Sequence, residues 1–287
     1  MIRRETNRPA WIRAKAPSGA NYEEVRSLVE SARLHTVCQS ANCPNIGECW
    51  HARTATFMIL GDTCTRNCRF CAVSHGRPAP ADEDEPRRVA EAVAYLKLKH
   101  AVITSVTRDD LPDGGAHIFA ETIRLIRELV PSCSVEVLIP DFRGDYNALR
   151  TVIEAGPNVL NHNIETVERL YPLVRPQAVY SRSLALLKNC KSDVGDWHPK
   201  TKSGLMVGIG ETWDEILETM KDLRNVGCDV ITIGQYLAPS REHIPIAKYY
   251  SPEEFAQLRS IGLAMGFGYV ESGPLVRSSY HAADQVE

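Results

Sequence analysis

The sequence predicts an α/β fold, a partial (β/α)6 TIM-like barrel with N- and C-terminal extensions. From about residue 55 onward, short β-branched apolar runs alternate with longer stretches of helical periodicity, the pattern of parallel strands joined by crossover helices. Six such runs are too few for a complete eightfold barrel. No G-x-G-x-x-G follows the first run, which sets a dinucleotide-binding fold aside.

In chain order, Asn21 and Glu24 read as the capping pair of an early helix whose apolar positions are Val25, Leu28 and Val29. The expected strands are Ala55 to Leu60, Ala101 to Val106, Val135 to Ile139, Asn158 to Ile164, Ser203 to Val207 and Val230 to Ile233. Between them, Val89, Val93 and Leu96 recur at helical spacing after Pro86. Ile118, Phe119, Ile123, Ile126 and Val130 do so after the Gly114-Gly115 loop. Ser251, Pro252 and Glu254 supply an N-cap, a first-turn proline and a capping-box glutamate for a late helix. The loop from Arg77 to Glu85 is proline-rich and acidic. Residues 1–54 and 270–287 are expected to be extensions around a barrel of residues 55–269.

Composition narrows the function classes. At 287 residues, with 44% hydrophobic and 24% charged residues, the chain matches soluble globular averages. A formal net charge of -3, with the two signs mixed along the chain, leaves no cationic footprint for a phosphate backbone, so nucleic acid is not an expected partner. No run of 18 apolar residues is present, and the arginine-containing start carries Glu5, which transit peptides avoid. The expectation is a cytoplasmic protein with no membrane partner.

Six of the nine cysteines, Cys38, Cys43, Cys49, Cys64, Cys68 and Cys71, crowd into one short stretch. A disulfide framework belongs to smaller secreted chains, so this crowding points to metal. Cys64, Cys68 and Cys71 sit in eight residues directly after the first strand, at the mouth where barrel enzymes build their sites. Three thiolates are one short of the four that a cubane cluster normally takes, which leaves one iron for an exchangeable ligand. A zinc site with His75 as fourth ligand is the competing reading. Upstream, Cys38, Cys43 and Cys49 make a second triplet, C-x4-C-x5-C. There, spacing does not choose between an iron-sulfur cluster and a zinc knuckle completed by His35 or His51.

The C-x-x-x-C-x-aromatic-C loop of Cys64, Cys68, Phe70 and Cys71 resembles that of the radical S-adenosylmethionine superfamily, whose partial six-unit barrel agrees with the strand count. The resemblance implies a 4Fe-4S cluster whose open iron chelates S-adenosylmethionine and whose electron cleaves it to a 5′-deoxyadenosyl radical. Gly204-Leu-Met206-Val-Gly208-Ile-Gly-Glu211 is similar to the superfamily's adenine-lining G-x-I-x-G-x-x-E strand, with Met206 in place of Ile. Asp113-Gly114-Gly115 stands where a glycine pair meets the methionine amino group. Each of these two segments alone also reads as an ordinary turn. Among polar residues after the fourth strand, where Asn161, His162, Asn163 and Glu165 are expected to face the mouth, Asn163 and Glu165 are favoured as contacts to S-adenosylmethionine. Arg108, Asp109 and Asp110 occupy the mouth after the second strand.

More specifically, CQSANCPNIGECW followed by GDTCTRNCRFC resembles the lipoyl synthase family, as do SVTRDDLPDGGA at 105–116, NHNIET at 161–166 and GPLVRSSYHA at 273–282. The resemblance implies sulfur insertion at C6 and C8 of an octanoyl chain carried on a lysine of a lipoyl carrier domain, of the glycine cleavage H protein or 2-oxoacid dehydrogenase E2 type. It further implies a ferredoxin or flavodoxin electron donor and an iron-sulfur carrier that rebuilds a consumed auxiliary 4Fe-4S cluster. Cys38, Cys43 and Cys49 would hold that cluster, and Ser279 of Arg277-Ser278-Ser279-Tyr280 would be its fourth ligand. An unactivated C–H bond needs radical chemistry because no side-chain base deprotonates an alkane. The rivals are a biotin synthase or methylthiotransferase, or a non-catalytic cluster carrier or zinc module. Cys133, Cys190 and Cys228 lack partners at ligand spacing and read as buried structural thiols.

Overall fold

A computed structural model describes residues 8–191 and 198–285; Glu5 lies outside the described residues. The N-terminal part forms α1 (Ala20–Ser31), β1 (His35–Thr36), α2 (Val37–Ser40) and α3 (Ile46–His51). The first barrel strand is β2 (Thr56–Ile59), followed by a two-residue parallel ribbon of β3 (Thr63–Cys64) and β4 (Ser74–His75). Then α4 (Glu85–Leu96), β5 (His100–Ser105), α5 (Ala116–Leu129), β6 (Ser134–Leu138), α6 (Tyr146–Glu154) and β7 (Val159–Asn161) follow in strict alternation. After α7 (Tyr171–Val174) and α8 (Tyr180–Asn189) come β8 (Lys200–Val207), α9 (Trp213–Asn225), β9 (Val230–Gln235), α10 (Pro252–Ala264) and β10 (Tyr269–Gly273).

The main sheet runs β1-β2-β5-β6-β7-β8-β9-β10, so strands adjacent in sequence are adjacent in space. All pairings are parallel except β1 on β2. The six expected strands are all present, in the expected order. A seventh parallel strand, β10, was not expected as a strand and straddles the boundary drawn at residue 270. Of its five residues only Val270 is buried, so its alternation gives no apolar signal. The strand expected over 158–164 stops at Asn161, and beyond it only Glu165 rejoins the sheet, through a bridge to Leu205 at a backbone φ of 65°.

Helix signals behave as their chemistry dictates. Ser251 and Glu254 form the reciprocal capping box at α10, and Thr212 with Glu215 forms another at α9. Val89, Val93 and Leu96 are buried, as are Ile118, Phe119, Ile123 and Ile126. The early helix departs from expectation: α1 starts at Ala20 behind Gly19, and Asn21 lies inside it, donating to the His51 carbonyl. That contact ties α1 to the end of α3, so tertiary structure overrides the capping role.

The core fills the space between the sheet and its helices, with Val135, Val137 and Leu160 among its members. The opposite face of the same strands is polar. Glu136, Asn161 and Lys202 stand there on β6, β7 and β8, all buried. Lys202 Nζ reaches both Glu136 oxygens at 2.8 and 3.1 Å, and Asn161 Nδ2 donates to Glu136 at 3.1 Å. Burial alone would push the Glu136 carboxyl up, but Lys202 and His100 outweigh it and hold it below the ordinary glutamate range.

A buried pair of this kind is costly to break and cheap to replace whole. K202M is expected to destabilise the fold by about 3–5 kcal/mol, and K202M/E136L to recover most of that loss, as read from urea midpoints. A single variant no less stable than the double would contradict the pairing.

Candidate functional site

Cys64 ends β3, and the loop behind it carries Cys68 and Cys71 across the C-terminal ends of the barrel strands. The loop is held on several sides. Thr65 N donates to the Thr107 carbonyl at 3.0 Å, Arg69 N to Val174 at 2.9 Å, and the Arg69 carbonyl accepts from Ile244 N at 3.3 Å. His243 Nε2 lies 3.0 Å from the Cys71 carbonyl. The sulfur of Cys64 accepts from the backbone N–H groups of Thr107 and Arg66 at 3.3 and 3.4 Å.

The three thiols lie close enough to act on one another. Burial pushes the Cys71 thiol up to about 12, with Cys68 and Cys64 adding repulsion. Burial also raises Cys68, opposed by the Arg175 guanidinium. The second triplet shows the same mutual influence: burial with repulsion from Cys43 lifts Cys38 to about 11, and burial with Cys38 and Cys43 lifts Cys49 to about 12. Among the described residues no His, Cys, Asp and Glu side chains form a group arranged to hold one metal ion. Two desolvated all-thiol triplets are a donor set suited to iron-sulfur clusters, whose binding displaces the thiol protons.

The C-terminal segment reaches the second triplet from the far end of the chain. Asn45 Nδ2 donates to the Leu275 carbonyl at 2.7 Å, and Tyr280 Oη donates to Glu48 at 3.1 Å. The segment lies so close over β9 that a Cβ on Gly234 would stand 2.1 Å from the Val276 carbonyl oxygen. Burial pushes the Arg277 guanidinium down, and it lies near enough to Cys43 and Glu165 for both to act on it electrostatically. Ser278 Oγ accepts from Asn163 Nδ2 at 3.4 Å, whereas Ser279 makes no side-chain hydrogen bond among the described residues. Arg277 and Ser278 therefore link the second triplet to the residues after β7.

Those residues point in different directions. Asn163 and Glu165 face the mouth, with Asn163 Nδ2 donating to Glu165 at 3.1 Å and Asn163 Oδ1 buried without a partner. Asn161 points down to Glu136. His162, expected at the mouth, faces the other way: its ring nitrogens meet the Ile139 carbonyl at 2.9 Å and Ser183 of α8 at 3.0 Å. β7 ends at Asn161, so the directions of His162 and Asn163 are set by their own hydrogen bonds rather than by strand pleating. Burial and the Arg175 charge push the His162 imidazole down to about 4.

The remaining expected contacts are reached by a mixture of packing and polarity. Gly115 has a φ of 87°, which strains any residue with a Cβ, and a Cβ there would also press on the Leu60 methyl at 2.3 Å. Its neighbour Gly114 lies against Phe142. Glu211 turns back to accept from the N–H groups of Gly208, Ile209 and Gly210 at 2.6, 2.9 and 3.1 Å, which locks the turn after β8. Met206 and Phe70 border a small apolar cluster of Val167, Leu170, Val174, Ile209, Tyr236 and Ile244. Arg108 forms a fork on Asp110 at 2.9 Å for both contacts, and Asp109 pairs with Arg66. Arg66 and Arg277 lie inside the quoted motifs but were given no role there, and Arg175 and His243 carry no local signal. Cys133, Cys190 and Cys228 are buried and unpaired as expected.

Residues 58–223 match the family model described as the radical SAM superfamily, and this is the class of protein that the barrel and its cysteine loop define. Solved structures share the fold at low identity: HydG, a maturase of the [FeFe]-hydrogenase, aligns with a TM-score of 0.57 at 14% identity, over 80% of this chain and 61% of its own. Methylornithine synthase gives 0.53 at 13%, over 78% and 72%. Sequence relatives are far nearer. "Lipoyl synthase" of Rubrobacter xylanophilus is 60% identical over 281 residues, 98% of this chain and 87% of that one. Those of Chloroflexus aurantiacus and Koribacter versatilis are 59% and 56% identical, each over at least 96% of this chain and at least 89% of theirs. The chain belongs to the lipoyl synthase family; it is a radical S-adenosylmethionine sulfurtransferase that uses 4Fe-4S clusters.

Two measurements test this arrangement. G234A is expected to destabilise the chain by about 1–3 kcal/mol, because the Val276 carbonyl has to be displaced, with the denaturation midpoint as readout. For His162 the folded value lies below the unfolded one, so the unfolded chain binds more protons between pH 6.5 and 4. Its contribution, about 3 kcal/mol, is present above pH 6.5 and is lost as the pH falls towards 4. H162Q should flatten the pH dependence of the urea midpoint in that window; an unchanged slope would place the ring elsewhere.

Proposed function

We propose that this enzyme inserts sulfur at C6 and C8 of an octanoyl group on a lipoyl carrier domain, with one cluster at Cys64, Cys68 and Cys71 and a sacrificial one at Cys38, Cys43, Cys49 and Ser279. The single observation behind this reading is the seating of residues 275–280 on the Cys43–Cys49 segment through Asn45 and Glu48. That contact carries a serine from one end of the chain to a thiol triplet near the other. When bound, the clusters and S-adenosylmethionine supply a carbon-centred radical that removes hydrogen, and the sulfur that replaces it.

The chain's own residues then have distinct tasks. Cys64, Cys68 and Cys71 hold one cluster with a ligand position left over, as an open metal site requires. Ser278 is engaged by Asn163, whereas Ser279 makes no side-chain hydrogen bond among the described residues and is the hydroxyl this reading assigns to the second cluster. An alkoxide matches iron-sulfur iron less well than thiolate and is easier to release. The unpartnered Asn163 Oδ1 and the carboxylate of Glu165 are acceptors suited to ribose hydroxyls. Phe70, Met206 and Ile209 offer an apolar wall for adenine, with Gly208 and Glu211 shaping the turn beside it. Gly114 and Gly115 would let the methionine end approach backbone without a Cβ in the way. Burial raises the Glu165 carboxyl, while Arg175, Asn163 and Arg277 act to keep it charged.

In this reading residues 1–54 and 270–287 form one auxiliary module on the barrel of residues 55–269. The carrier would be of the glycine cleavage H protein or 2-oxoacid dehydrogenase E2 type, a ferredoxin or flavodoxin would supply electrons, and an iron-sulfur carrier would restore the spent cluster. No helix among the described residues is long and apolar enough to cross a membrane, in keeping with a cytoplasmic enzyme.

The test incubates anaerobically reconstituted protein with S-adenosylmethionine, a strong reductant and an octanoyl-lysyl peptide, and follows peptide mass and 5′-deoxyadenosine. Two sulfurs gained per peptide are expected; neither sulfur nor deoxyadenosine would end the proposal. S279A should still cleave S-adenosylmethionine but fail to transfer sulfur, while S278A retains transfer. The reverse pattern would move the ligand to Ser278.

A further inference from the structure

Arg66 stands between Cys64 and Cys68, in a loop where an arginine would ordinarily extend into water. Instead it is 5% exposed. Nε and Nη2 form a fork on Asp109 at 2.7 and 2.9 Å, and the same Nη2 reaches Asp141 at 2.6 Å. Asp109 lies in the loop after β5 and Asp141 in the loop after β6, so one guanidinium ties the cysteine loop to two successive barrel strands. Asp141 is fully buried and also accepts from Arg143 N at 3.1 Å and from Arg182 of α8 at 3.2 Å. Two cations thus meet two carboxylates, the condition under which such charges can be buried at all.

The same stretch of backbone controls the environment of one thiol. Thr65 Oγ1 donates to the Thr107 carbonyl at 2.9 Å and accepts from Asp109 N at 3.0 Å. The N–H groups of Thr107 and Arg66 both point at Cys64 Sγ. Residues 107–109 and 64–66 are therefore one unit, and the Arg66–Asp109 fork closes it. Hydrogen bonds to cluster sulfurs tune the reduction potential, because they stabilise the more negative reduced state.

We propose that Arg66 is a positioning residue: by bridging Asp109 and Asp141 it keeps two amide donors on Cys64 Sγ and thereby raises the reduction potential of the cluster held by Cys64, Cys68 and Cys71. The inference rests on the reading of those three thiols as the S-adenosylmethionine-cleaving site. A bridge can be told from a mere nearby charge by the sign of two substitutions. R66K keeps the charge, but an ammonium cannot reproduce the planar fork across both carboxylates. D141N removes a negative charge, which by electrostatics alone would raise the potential, yet it weakens the bridge.

The experiment is a redox titration of the reconstituted holoenzyme, followed by the electron paramagnetic resonance signal that changes when S-adenosylmethionine is added. Both R66K and D141N are expected to lower that potential and to slow 5′-deoxyadenosine formation roughly tenfold, the usual order for outer-shell changes at metal sites. The potential of the other cluster should stay unchanged. An unaltered potential in R66K, or a raised one in D141N, would overturn the proposal. Circular dichroism and thermal unfolding check each fold, and D109N, which loses one arm of the fork, replaces R66K should that variant not fold. A wild-type signal indifferent to S-adenosylmethionine would instead count against the proposed function and leave the clamp geometry intact.

Discussion

A parallel sheet that does not close has two edges, and nearly everything distinctive about this chain follows from how they are managed. β1 lies antiparallel along β2 at one edge, and β10 ends the other. Exposed edges invite pairing with foreign strands and have to be covered. Here the segment after β1 carries the Cys38–Cys49 motif, the segment after β10 carries residues 275–280, and the two hydrogen-bond to each other through Asn45 and Glu48. The contacts that tie the two edge segments together thus also hold residues 275–280 against the Cys38–Cys49 segment. This requires Gly234 beneath the crossing segment, because no side chain fits between β9 and the Val276 carbonyl.

The second constraint is charge in a low dielectric. Ion pairs with a member below a tenth exposed recur from the sheet interior to the mouth: Glu136 with Lys202, Arg66 with Asp109 and Asp141, Arg108 with Asp110. Each would be costly alone and is satisfied only in company. At the mouth this company is less complete. Asn163 Oδ1 has no protein partner, and a buried acceptor left open beside a carboxylate and two arginines is what a ligand-binding region looks like before its ligand is considered. Burial raises the thiols of Cys38, Cys49, Cys68 and Cys71, so their protons would be displaced by a bound metal rather than shed beforehand.

Much of this was legible in the residues themselves. Alternating periodicities marked six strands, because the period of a strand or a helix is imposed by local geometry. The seventh escaped, since Tyr269–Gly273 buries one side chain only and is made a strand by its ladder with β9. The Ser251 capping box was readable because all its partners lie within four residues. Asn21 looked the same and proved different, its amide drawn to His51 by the packing of α1 on α3.

The sequence by itself determined the two thiol triplets, the order of the barrel strands and membership of the lipoyl synthase family, all of which reside in spacing along the chain. Tertiary structure decided where Asn161, His162 and Asn163 point, since their partners Glu136, Ile139, Ser183 and Ser278 all lie far away in sequence. It also decided that Arg66 turns inward to Asp109 and Asp141, that Arg175 and Arg277 come near the cysteines, and that Ser278 turns to Asn163 while Ser279 does not. Contacts that join residue 48 to residue 280 have no local signature; they exist only once the strand ladder has brought both edges of the open barrel together.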